Sequence, residues 1–261
     1  MNLSLEGKNA VICGSTQGIG LAIAEELALS GANCTLIARN EAALKAALQN
    51  LDIALRQEHS YQVADFSNPA RVKEAIEKIT AQHSVHILIN NTGGPPAGSV
   101  LDVTEEAFRL AFDQHLICNQ ILAKAVIPAM KEANYGRIIN IISTTIRIPI
   151  TNLAVSGTVR GAVAMWSKIL ANEVGRFNIT VNNILPGFIK TQRLQSLIDG
   201  NAKKRSVSGS VIEEEMLKEI PAKRFGEATE LAALAAFLAS PAASYINGVS
   251  IPVDGGKTGS W

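Results

Sequence analysis

The sequence predicts a single α/β domain built on a doubly wound parallel sheet, and three observations predict it. Short, continuous apolar runs alternate with longer helical patterns along the whole chain, as buried parallel strands and their crossover helices require. A glycine-rich turn joins the first apolar run to the first helical pattern. The 261 residues, 47% hydrophobic and 18% charged, supply one full-sized core rather than two small ones.

Taken in order, strands are expected at residues 10–13, 33–38, 61–64, 86–89, 137–142, 179–184 and 249–253, each a Val/Ile/Leu-rich run. Helices are expected at 18–30 and 41–50, and Asn68-Pro69 opens another as cap and first helical residue. Two long helices are expected at 112–130 and 156–176. Right-handed crossovers then place ligands at the carboxyl ends of the strands. The least regular stretch, 192–224, carries Gly200, Gly209 and the run Lys203-Lys204-Arg205. It reads as a lid over the site or as a solvated helical excursion.

Composition excludes several partners. A formal net charge of +1 offers no bulk electrostatic reason to bind nucleic acid or a membrane surface. No basic-then-apolar leader precedes the first strand and no apolar run reaches membrane-spanning length, so a cytoplasmic protein is expected. Cys13, Cys34 and Cys118 sit in apolar stretches and read as buried free thiols of a reducing compartment. The four histidines, His59, His83, His86 and His115, lack ligand spacing with the thiols, so no metal is expected.

The first strand is followed by Gly14-Ser15-Thr16-Gln17-Gly18-Ile19-Gly20 and then a helix. Glycines at such a turn let the backbone approach a pyrophosphate, whose charge sits on the helix N-terminus. This Gly-x-x-x-Gly-x-Gly spacing resembles the short-chain dehydrogenase/reductase family, a Rossmann-type fold. Other motifs carry the resemblance along nearly the whole chain. Asn90-Asn91-Thr92-Gly93 stands where the family has Asn-Asn-Ala-Gly, and Asp65-Phe66 stands at the position bordering the adenine. Pro186-Gly187-Phe188-Ile189-Lys190-Thr191 matches the segment facing the nicotinamide, and Val253-Asp254-Gly255-Gly256 the C-terminal signature.

The second strand ends Ala38-Arg39-Asn40. An acid there would accept hydrogen bonds from the adenosine ribose and repel a 2′-phosphate. Arg39 instead offers a charge-assisted contact to phosphate, which favours NADP(H) over NAD(H).

Members of that family transfer hydride between nicotinamide and a carbonyl or alcohol carbon. The resemblance implies a proton-donating Tyr, a Lys one helical turn later that holds ribose, a Ser that orients the carbonyl oxygen, and an Asn supporting a water relay. The strand ending in Ser143 supplies the Ser. The Tyr position then falls on Ser156, the Lys position on Arg160 and the Asn position on His115. Tyr61, Tyr135 and Tyr245, the three tyrosines of the chain, all lie far from this segment.

Ser156 and Arg160 share a helical face. Arg160 can donate to ribose hydroxyls or clamp a substrate carboxylate in a planar fork, but it is not a tunable acid. Serine is a weaker acid than a phenol and a shorter side chain. His115 either relays a proton through water or fills a packing position. Thr144, Thr145 and Arg147 follow Ser143 as candidate donors near the carbonyl site, with Arg147 reading more readily as a loop surface charge.

Three functions remain open at this level. The first is an NADP(H)-dependent oxidoreductase with an altered acid, similar to the 3-oxoacyl-(acyl-carrier-protein) reductase branch and acting on a small-molecule or acyl-thioester carbonyl. The Lys203-Lys204-Arg205 run would suit an acidic carrier or a coenzyme A phosphate. The second is a cofactor-binding sensor or scaffold, and the third is non-redox chemistry on the same fold. The resemblance also implies a homo-tetramer or dimer through the two long helices.

Overall fold

The computed structural model describes residues 1–259. Its strands are β1 (Asn9–Cys13), β2 (Asn33–Ala38), β3 (Ser60–Val63), β4 (Ile87–Asn90), β5 (Gly136–Ile141), β6 (Ile179–Pro186) and β7 (Ser250–Val253). They form one parallel sheet in the order β3-β2-β1-β4-β5-β6-β7. The chain reverses its direction of travel between β1 and β4, so the loops leaving those two strands border a crevice.

The helices are α1 (Gly18–Leu29), α2 (Glu41–Leu48), α3 (Pro69–Gln82), α4 (Glu105–Phe112) and α5 (Cys118–Glu132), then α6 (Ala154–Val174), α7 (Gln192–Arg205), α8 (Gly209–Lys218) and α9 (Ala228–Ala239). Alternation along the strands assigns the faces. Ile12, Ile89, Ile139 and Ile184 pack with α1, α2 and α9. Val11, Leu88, Ile138 and Val181 pack with α3, α5 and α6 on the other side. Both faces are therefore covered, which is why the strands read as unbroken apolar runs rather than alternating ones.

Near the carboxyl ends of the strands the second face turns polar. Asn90, Asn140, Asn183 and Ser250 are register partners across β4, β5, β6 and β7. Asn90 Nδ2 donates to Asn140 Oδ1 at 2.8 Å. Asn140 Nδ2 donates to Asn183 Oδ1 at 3.0 Å and to Ser167 Oγ of α6 at 3.2 Å. Asn183 Nδ2 closes the rung on Ser250 Oγ at 3.0 Å. A one-residue slip of any strand would swing its polar side chain into an apolar layer, so the rung specifies register.

Three expectations need correction. The helix expected at 112–130 is longer and broken: α4 and α5 are joined by a π-helical turn, Asp113–Ile117, that contains His115. Wide i→i+5 turns of this kind insert one residue and re-aim side chains, often at functional sites. The stretch 192–224 is not irregular. Thr191 caps α7 by accepting from Leu194 N, and α7 and α8 bury Leu194, Ile198, Ile212, Met216 and Phe225 in a small core of their own. The Lys203-Lys204-Arg205 run is not a uniform basic patch, because Arg205 is held bidentately by Glu215 of α8. Lys203 and Lys204 stay exposed in the last turn of α7, where cations suit the helix dipole.

Candidate active site

A cleft of about 860 Å³ runs along the carboxyl edge of the sheet. Its floor is the glycine turn. Gly14 adopts φ +60°, and a Cβ there would meet Asn91 O at 2.6 Å. At Gly20 a Cβ would stand 2.1 Å from Gly14 O, so both positions require glycine. Asn91 Nδ2 straddles the crevice, donating to Cys13 O at 3.3 Å and Gly14 O at 3.2 Å. The N-cap of α1, Gln17, makes no side-chain cap, and no acid lies in the first turn. Free N–H groups and a positive dipole end thus face the cleft. Ser15 Oγ is fully buried beneath the turn without a hydrogen-bond partner. Together these features make a cradle that fits a pyrophosphate.

The structure brings most of the expected residues to this one cleft. Gly14, Thr16, Gln17, Gly18 and Ile19 line it from the turn, and Asn91, Thr92 and Gly93 from the loop after β4. Pro186, Gly187, Ile189 and Thr191 line it from the segment after β6. That segment is tied to the C-terminal turn: a Cβ on Gly187 would fall 2.6 Å from Asp254 Cβ, and Asp254 accepts from Thr258 N at 2.7 Å. The methyl of Thr191 packs 3.2 Å from the Cβ position of Gly18, joining the two walls. Ser15, Gly20 and His115 are not on the wall; they lie buried behind it.

Arg39, Asp65 and Phe66 mark the far end of the cleft. Asp65 accepts from Ser67 N at 2.9 Å, and this bond, with the charge of Arg39, lowers its carboxyl below the ordinary value. Arg39 is exposed at the end of β2, next to the N-terminus of α2. Glu41, the nearby acid, is engaged by Lys45 at 2.9 Å and by Tyr61 Oη at 2.9 Å.

At the opposite end stand Ser143, Ser156 and Arg160. Ser143 caps a short 3-10 turn, its Oγ accepting from Thr145 N at 3.1 Å. Arg160 is 9% exposed. Its Nε donates to Ile142 O at 2.9 Å and its Nη1 to Ser156 Oγ at 2.5 Å. Both serine oxygens therefore accept from the protein and keep their own O–H free to donate. Burial and, second, the charge of Arg193 draw the Arg160 guanidinium down to about 10, so it stays charged at neutral pH. Among the described residues, no tyrosine and no lysine lines the cleft. Arg147 points elsewhere, donating to Ser250 O at 2.8 Å.

His115 Nδ1 lies 2.6 Å from Thr92 Oγ1, and its Nε2 is buried without a partner. Burial, then the Arg160 charge, pulls the imidazole down to about 3. His115 is therefore neutral at physiological pH and cannot serve as an imidazolium acid. Sequence reasoning missed Arg193, whose Nη2 donates to Pro95 O at 3.0 Å above the cleft. Its signal was present. A cation in the first turn of α7, just after the cap Thr191, opposes the helix dipole and calls for another reason to be there.

A parallel sheet with a glycine cradle at its switch point defines the class: a doubly wound α/β protein built to receive an anionic nucleotide. Residues 14–258 match the family described as enoyl-(acyl carrier protein) reductase. The NADPH-dependent reductase BacG of Bacillus subtilis is 34% identical over 253 residues, 96% of this chain and 97% of that protein. The 3-oxoacyl-(acyl-carrier-protein) reductase FabG of Escherichia coli is 33% identical over 255 residues, 97% and 98% of the two chains. L-Sorbose reductase from Gluconobacter frateurii, solved with NADPH and L-sorbose, superposes with a TM-score of 0.94 at 30% identity, covering 100% of both chains. The chain belongs to the short-chain dehydrogenase/reductase family.

Proposed function

We propose that the protein is an NADPH-dependent reductase of a carbonyl substrate, small-molecule or thioester-linked, whose acid–base pair is replaced by Ser156 and Arg160. The observation that carries the reading is the single cleft joining the glycine cradle, Arg39 and the Ser143–Ser156–Arg160 group. Two relatives support the cofactor: BacG is an NADPH-dependent reductase, and the sorbose reductase was solved with NADPH. Arg39 adds a local reason, a guanidinium for the 2′-phosphate where an acid would select NAD(H).

Bound there, the cofactor supplies a hydride. The chain's own residues do the rest. Gly14, Gly18 and the N-terminus of α1 would hold the pyrophosphate, Asp65 and Phe66 the adenine, and Pro186, Gly187, Ile189 and Thr191 the nicotinamide. Ser143 and Ser156 direct two hydroxyl donors at one substrate oxygen, and Arg160 polarises Ser156 through its 2.5 Å hydrogen bond. These groups stabilise developing oxyanion charge. None is an acid of near-neutral pKa, so the proton that completes the alcohol comes from water entering the gap that a tyrosine ring would fill. His115, neutral and buried behind the wall, supports this site through its hydrogen bond to Thr92 on the wall.

The α7–α8 excursion acts as the substrate lid. It leaves and returns at one point, where Ile189 and Gly226 form a parallel bridge and Lys190 pairs with Glu227. No helix of the described residues is long and apolar enough to cross a membrane. The three buried free thiols fit a cytoplasmic setting. The exposed side chains of Met165 and Ile169 on α6 suit a homo-dimer or tetramer.

The test follows nicotinamide absorbance with NADPH and a panel of oxo acids, ketones and 3-oxoacyl thioesters, for the native protein and Ser156→Ala. Substrate-dependent oxidation that falls about tenfold or more in the variant supports the reading. Tight NADPH binding with no turnover across the panel favours a cofactor-binding sensor instead.

A further inference from the structure

The substrate end of the cleft carries two guanidinium groups and no acid. A Cβ built on Gly94 would lie 3.4 Å from Arg160 Nη2 and 3.7 Å from Arg193 Nη2, so both forks converge on the space that a side chain at this one glycine would fill. Arg160 is 9% exposed, and its Nη2 makes no hydrogen bond among the described residues. Arg193 spends one nitrogen on Pro95 O and holds its position against the dipole of α7. Among the described residues lining the cleft the single acid is Asp65, at the adenine end beside Arg39. A buried cation without a counter-charge is costly, and a second cation beside it adds repulsion. A bound anion relieves both.

We infer that Arg160 and Arg193 form a carboxylate-binding subsite against Gly94 and Pro95, so the substrates are oxo acids carrying a free carboxylate. Its place at the substrate end rests on the cofactor reading above. The same cleft is also lined by apolar side chains, Ala107 and Leu110 from α4 and Leu194 and Leu197 from α7. That lining calls for a hydrocarbon body attached to the acid. A planar carboxylate matches the fork geometry of guanidinium, whereas a thioester or a neutral ketone leaves Arg160 Nη2 unpaired. Arg193 lies on the first turn of the lid, so the same anion that neutralises Arg160 also draws α7 toward the floor of the cleft.

The probe is 4-methyl-2-oxopentanoate, compared with its neutral methyl ester, titrated by calorimetry into the protein with and without saturating NADPH. The acid is expected to bind at least tenfold more tightly than the ester. Arg193→Gln is the variant of choice because Arg193 is exposed and its loss leaves the core intact. It is expected to bring the acid down to the affinity of the ester, with Arg193→Lys recovering part of the loss and NADPH affinity changing less than twofold. Equal binding of acid and ester overturns the subsite. So does an Arg193→Gln variant that loses NADPH affinity as strongly as acid affinity, because Arg193 would then serve the cofactor phosphates. Failure of NADPH to bind at all counts against the cofactor reading alone, since both forks stand in the free protein and the acid–ester contrast is measured there too.

Discussion

Arg160 holds Ser156 from below: its Nη1 donates to Ser156 Oγ at 2.5 Å while its Nε is anchored on Ile142 O at 2.9 Å. The pair lies on one face of α6, a single turn apart, and reaches the end of β5. A tyrosine in place of Ser156 would extend into the space above this pair, and a lysine in place of Arg160 would free it from its neighbour.

The double variant Ser156→Tyr, Arg160→Lys is therefore expected to gain carbonyl reductase activity, by tenfold or more in kcat/KM on simple ketones. Steady-state NADPH oxidation measures it. A folded, NADPH-binding double variant with no gain would show that these two positions do not limit ordinary reduction.

The neutral His115 predicts a pH dependence of stability. Its folded value, about 3, lies below the ordinary value, so on acidification the unfolded chain binds a proton that the folded chain excludes. The stability from this site is complete above the ordinary imidazole value and is lost as pH falls from there toward 3. Between pH 7 and pH 4.5 the native protein should lose roughly 2–3 kcal/mol more than His115→Asn, measured by denaturant unfolding. Parallel losses in the two proteins would mean that His115 is accessible to protons in the fold.

Cofactor selectivity is expected to rest on Arg39. Arg39→Ser should weaken NADPH binding by roughly 10- to 100-fold and leave NADH within about twofold, because only the 2′-phosphate uses the guanidinium. Calorimetry with both nucleotides checks this. An equal loss for the two would assign Arg39 to the adenine rather than the phosphate.

The amide rung gives a prediction about the fold. Asn140→Leu leaves Asn90 Nδ2 and Asn183 Oδ1 without partners inside the sheet, so it should cost about 2–4 kcal/mol. A loss well under 1 kcal/mol would show that water replaces the amide. On the surface of α6, Met165 is 65% exposed and Ile169 53% exposed at i and i+4. Met165→Glu with Ile169→Glu should reduce the mass found by light scattering to that of one chain if this stripe joins the copies.

Much of this fold was legible because a doubly covered parallel sheet makes each strand an unbroken apolar run, and the strand ends differ from expectation by two residues or fewer. The glycine turn was legible for the same local reason: Gly14 and Gly20 meet backbone where any Cβ would collide. The π turn at Asp113–Ile117 was not, since an inserted residue shifts hydrophobic phase less than the helix tolerates. The helix α9 was not singled out because its alanines are apolar on every side and give no periodic signal. The order of residues 192–224 was hidden by polar composition: α7 and α8 bury only a few side chains, and each supplies half of a core that neither shows alone. Arg193 escaped for a related reason, since its meaning depends on Arg160 and Gly94, which are remote in the chain.

Hydride transfer at the Ser143–Ser156–Arg160 end of the cleft leaves an isotopic trace in the product. NADPH carrying deuterium at nicotinamide C4 is incubated with the protein and an oxo acid, and the product is read by mass spectrometry and NMR. Carbon-bound deuterium at the former carbonyl carbon, from one face of the nicotinamide only, is the predicted result. Tight NADPH binding with no deuterium in any product would contradict it.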